Sequence, residues 1–140
     1  KLDKESFVID GPGEYENKGI FVYGHPINGN VVYLLIGEDI KIAFLGEYGH
    51  SELSDNDLEL LEGSDILILP VGGDKLTTAK EAGKIIRQVE PRIVIPSCFK
   101  GNQLADFIKE IGVKPEELDK FSLKKKDLPQ EEMKLVVLKS

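Results

Sequence analysis

At 140 residues the chain is one domain's worth, and 41% hydrophobic with 31% charged residues is the composition of an ordinary globular protein. A net charge of −7 argues against a nucleic-acid surface, which needs clustered excess Lys and Arg; the one basic run, Lys124-Lys125-Lys126, meets Asp127 at once. A single cysteine excludes an internal disulfide and fits a reducing cytoplasm, and no apolar run approaches the ~20 residues of a membrane span, so no membrane contact is expected.

The first 46 residues predict a β meander. "SFVID" (Ser6 to Asp10), "GIFVYG" (Gly19 to Gly24), "NVVYLLIG" (Asn30 to Gly37) and "DIKIAFLG" (Asp39 to Gly46) follow one another closely. Glu38-Asp39 give the geometry of a hairpin turn, and "DGPGEY" reads as a Gly/Pro turn. In "DIKIAFLG", Ile40, Ile42 and Phe44 alternate with Lys41 and Ala43, so one face points to a core.

Residues 47–140 read as alternating helices and strands within the same single domain. Ser54 caps a predicted helix over Asp55 to Glu62, and Gly63 suits its stop. "DILILPVGG" and "RIVIP" are short, nearly continuous apolar runs, as expected of strands covered on both faces. Between them a helix runs from Thr78 to Pro91, and Asn102 opens another with Leu104, Phe107, Ile108 and Ile111 as its apolar stripe. The tail predicts two short strands, or one strand and a turn.

Polar residues gather where strands end: Glu47 and His50 after one, Gly72-Gly73-Asp74 after another, Ser97-Cys98 after a third. Layered α/β folds place active sites in such loops. Glu47, His50, Cys98 and His25 are chemically eligible zinc ligands, yet no two form a tight motif such as CxxC or HxxxH. On spacing alone, Glu47 and His50 read most simply as a polar turn before a helix. Cys98 is either a small packed residue or a nucleophile, with Lys100 or a histidine available to favour its thiolate. His25 reads as a loop residue ahead of Pro26, and "PVGGDKLTT" as a turn that lacks the Lys-Ser/Thr of a P-loop.

Taken together, "FVIDGPGEYENKGIFVYG", "IKIAFLGEYGH", "DILILPVGG", "TAKEAGKIIRQVEPRIVIPSCFK" and "SLKKKDLPQEEMKLVVLK" resemble the C-terminal part of metallo-β-lactamase-fold proteins. The nearest group is a bacterial one usually described as predicted Zn-dependent hydrolases. The resemblance runs from about Phe7 to Leu138 with segment order kept. It implies an α/β (α+β) fold, an αββα sandwich here lacking its N-terminal part. It also implies a zinc-bound hydroxide attacking an ester, lactone, amide or phosphodiester in active members.

Residue by residue, the carry-over is incomplete. The family's His-x-His-x-Asp-His motif belongs to the N-terminal half, and a chain with two histidines cannot contain it. Glu47 in "GEYG" stands at the family's bridging Asp, and Cys98 in "PSCF" at its late metal-binding His. His25 lies near the middle His position, while His50 matches no ligand. Glu47, Cys98 and His25 are thus the metal candidates, with His50, Asp74 and Lys100 as further pocket candidates. The expectation is an incomplete centre that holds zinc weakly or not at all. The rivals are a non-catalytic scaffold for assembly or ligand binding, and Cys98-based thiol chemistry. Half a sandwich would expose an apolar sheet face, so a homo-oligomer or a preceding segment is expected to cover it.

Overall fold

The computed structural model describes residues 13–17, 19–27, 30–46, 53–72, 77–97, 99, 102–118, 128–129 and 132–138. Four strands come first: β1 (Gly13–Asn17), β2 (Ile20–Ile27), β3 (Asn30–Gly37) and β4 (Ile40–Phe44). Each pairs antiparallel with the next. Glu38 and Asp39, both at positive φ (51° and 64°), make the two-residue β3–β4 turn, whose twist matches that of its strands.

Helices then alternate with strands: α1 (Asp55–Leu61), β5 (Ile66–Pro70), α2 (Ala79–Val89), β6 (Ile93–Ser97) and α3 (Gln103–Ile111), followed by β7 (Pro115–Leu118) and β8 (Lys134–Leu138). The helix starts are written in the sequence as capping boxes, Ser54 with Asp57 for α1 and Thr78 with Glu81 for α2. Glu90 in the left-handed region, directly before Pro91, closes α2, and Gly112 at φ 74° closes α3. All strands join one eight-stranded sheet in the order β1-β2-β3-β4-β5-β6-β8-β7. From β4 onward the pairings are parallel.

Strand alternation divides the core in two. Ala43, Leu67, Val94 and Leu135 lie side by side and pack with Leu61 of α1, Ile86 and Val89 of α2, and Phe107 of α3. Ile40, Ile66, Ile93, Ile95 and Val136 form the opposite cluster with Leu128. Burial on both sides explains why β5 and β6 read as unbroken apolar runs. The fold is mixed α/β, with the helices among the described residues on one face of the sheet.

Two local readings are corrected. Gly13 to Tyr15 belong to β1, not to a turn, because Tyr15 pairs with Val22 and Glu14 with Tyr23. His25 is not in a loop: β2 continues to Ile27, with His25 opposite Val32 and Pro26 opposite Val31. Pro26 lies one pair from the Ile27–Asn30 end of the β2–β3 hairpin. An element the sequence did not announce is β7, a short strand held by pairing with β8 and carrying little apolar signal in "PEEL". No helix among the described residues is long and apolar enough to cross a membrane.

Candidate active-site edge

Parallel neighbours bring their C-terminal ends to one edge, and β4, β5 and β6 are such neighbours. Gly46, Gly72 and Ser97 therefore stand together where these strands stop. Three bonds fix the edge. The Leu45 amide donates to the Ile68 carbonyl at 2.9 Å, and the Val71 amide to the Ser97 carbonyl at 3.0 Å. The Gln103 side-chain amide donates to the Gly72 carbonyl, tying the start of α3 to the end of β5. Gly46, at φ 60°, turns the chain away from β4 in a conformation that side chains resist.

Glu47, His50, Asp74, Cys98 and Lys100 lie outside the described residues. Their described neighbours Gly46, Gly72, Ser97 and Phe99 mark the edge to which they are covalently attached. His25 is described and exposed. β2 runs in the same direction as β4, so His25 is near the same edge, but β3 intervenes and about 10 Å separates the two strands. Its face is that of Tyr23 and Ile27, which pack in the helix-side core. His25 lines a groove of about 670 Å³ against α1, together with Glu14, Tyr23, Leu34, Lys41 and Leu60.

Ser97, one of the polar residues expected at strand ends, closes β6. It lies on the sheet face opposite His25, and its Oγ is buried with no hydrogen-bond partner. A buried hydroxyl in that state costs about 1–3 kcal/mol, and such orphaned groups are rare in folded proteins. Gln103 is the residue that sequence reading missed, since its role depends on where α3 begins.

Zinc takes three or four His, Cys or carboxylate ligands around one point. Among the described residues no three His, Cys, Asp or Glu side chains come together in that way. His25, the described candidate, faces away from Ser97. The described residues do not by themselves fit a zinc centre, and no catalytic step is derived through one.

Against known proteins, a family model described as the β-lactamase superfamily domain matches residues 1–97, well over half of the chain. The chain belongs to the β-lactamase superfamily. The match ends at Ser97, the last residue of β6 at the candidate edge. Among superfamily relatives, the UPF0173 protein PF0020 of Pyrococcus furiosus is 30% identical over 94 residues, covering 65% of this chain and 43% of its own length. The chain thus spans less than half the length of the curated relatives it matches. A Thermotoga maritima crystal structure, described as a candidate Zn-dependent hydrolase of the metallo-β-lactamase superfamily, superposes with a TM-score of 0.76 at 28% identity, covering 93% of this chain and 71% of that one. The metallo-β-lactamase-fold protein YhfI of Bacillus subtilis gives a TM-score of 0.59 at 11% identity over 94% of this chain and 52% of its own, a likeness of fold.

Proposed function

We propose that this chain is a β-lactamase-superfamily protein that keeps the strand-end pocket of the family's hydrolases but supplies an incomplete metal centre. The observation that carries the reading is the edge itself. Gly46, Gly72 and Ser97 end three adjacent parallel strands, and Glu47 and Cys98 follow directly at the family's bridging-Asp and late-His positions. Both replacement residues can bind zinc, but Glu is a methylene longer than Asp. It would move a bridging oxygen by about 1 Å, enough to spoil a preorganised site.

The family's His-rich motif has no counterpart in a chain with two histidines. A complete site would therefore need ligands from outside these 140 residues. With them, zinc would supply a hydroxide at neutral pH, and the pocket would serve hydrolysis of an ester, amide or phosphodiester. Without them, the chain serves as a binding or assembly module. Turnover of an ester, lactone and phosphodiester panel, with and without added zinc, separates these readings. The expected result is no turnover by this chain in either condition. Zinc-dependent turnover abolished by Glu47→Ala would overturn the reading.

A further inference from the structure

A groove of about 600 Å³ lies between the ends of α2 and α3 and the segment leading into β8. Its floor is apolar: Ile86, Ile111 and Met133 belong to the helix-side core, and Gly83 adds no side chain. A Cβ at Gly83 would lie 3.3 Å from the Arg87 guanidinium, so the glycine keeps room beneath that arginine. The groove is on the helix side of the sheet, and a segment covering the opposite face would leave it open.

Four charges ring this floor: Arg87, Glu90, Arg92 and Glu132. The chain has two arginines among its 18 basic residues, and both are here. A planar guanidinium grips a carboxylate with two parallel bonds, which a lysine cannot do. Neither arginine is tightly paired: Arg87 meets Glu110 at 3.8 Å and Arg92 meets Asp65 at 3.9 Å, both beyond hydrogen-bond length. Arg92 is held in place by donating to the Pro129 carbonyl at 2.7 Å, with further guanidinium donors left over. Among the described residues, the exposed Glu90 and Glu132 form no ion pair with either arginine. Charges of both signs thus share one groove without closing on each other.

We propose that this groove binds a short apolar peptide with both termini free. The peptide carboxylate meets the arginines, its ammonium meets the glutamates, and its side chains lie over Ile86, Ile111 and Met133. Two arginines and two glutamates leave the lining neutral, which complements a zwitterion better than a simple anion or cation. The volume is in the range of small-ligand pockets, about 300–1,000 Å³, and leaves room for a di- or tripeptide. The proposal is independent of the metal-site reading.

Titration calorimetry of the 140-residue chain with the dipeptide leucyl-leucine tests it, beside the N-acetylated and the C-amidated forms of the same dipeptide. Arg87→Gln and Glu132→Gln change exposed side chains, and circular dichroism checks that each variant is folded. The expected result is saturable one-to-one binding of the free dipeptide, weakened about tenfold or more when either terminus is blocked. Arg87→Gln should weaken the free dipeptide by a similar factor and leave the amidated form unchanged. Glu132→Gln should do the same and leave the acetylated form unchanged. If a variant fails to fold, the blocked dipeptides decide alone. No saturation, equal binding of free and blocked dipeptides, or full binding kept in either folded variant would each overturn the proposal.

Discussion

The Lys41 ammonium donates to the carbonyl of Glu62 at 2.8 Å, and to that of Leu60 at 2.9 Å, so a residue of β4 closes the C-terminal end of α1. That helix has no basic residue in its own last turn. A cation there complements the helix dipole and satisfies carbonyls that lack intrahelical partners. Lys41→Met keeps most of the aliphatic packing and loses both bonds. It is expected to lower unfolding stability by about 1–2 kcal/mol in a urea titration, with α1 losing amide protection first.

The same lysine gives a pH dependence. Burial pushes its pKa below the usual 10.5, and the nearby Asp65 and Glu62 charges only partly restore it. The unfolded chain then binds more protons than the folded one between the lowered value and 10.5. Stability from this group therefore rises with pH through that alkaline window. Comparing wild type with Lys41→Met at matched pH values checks it: the slope just below pH 10.5 should be smaller in the variant.

Asp65 organises the opposite end of the sheet. Its carboxylate accepts from the Lys41 amide at 2.9 Å, and its carbonyl accepts from the amides of Arg92 and Ile93. Asp65→Ala leaves a β4 amide without its acceptor in a half-buried place. A loss of about 1–3 kcal/mol is expected by thermal or urea unfolding, with the candidate edge at the far end of the strands unchanged.

Where α2 meets α3, Gly83 leaves room for Glu110 and Arg87; a Cβ there would lie 3.2 Å from the Glu110 side chain and 3.3 Å from that of Arg87. Arg87 meets that position with its flexible guanidinium end, but Glu110 meets it with its Cγ and must give by a few tenths of an ångström, so the helix propensity gained in Gly83→Ala should about cancel the contact and leave stability near that of wild type. Gly83→Leu should instead cost about 1–3 kcal/mol through overpacking between the helices. A near-zero change for alanine beside a clear loss for leucine is the outcome to look for in parallel melts.

Much of the fold was legible because its signals are local. Ser54 and Thr78 cap helices whose apolar spacing was plain, and the runs in β5 and β6 reported two-sided burial. β1 was missed because glycines beside Pro12 resemble a turn, and only pairing with β2 makes Gly13 to Tyr15 a strand. His25 was misplaced for a related reason: Pro26 suggests a loop, and only pairing with β3 makes His25 a strand residue. The candidate edge was legible as a list of strand ends. Gln103 was not, because helix placement decides which side chains reach the edge; the burial of the Ser97 hydroxyl was likewise set by register.

The incomplete metal centre is tested most directly by elemental analysis of the chain purified without added metal, with Glu47→Ala and Cys98→Ser beside it. The account predicts zinc well below one equivalent, unchanged in both variants, in protein that remains folded. One equivalent of zinc in the wild type, lost in both variants, would contradict it.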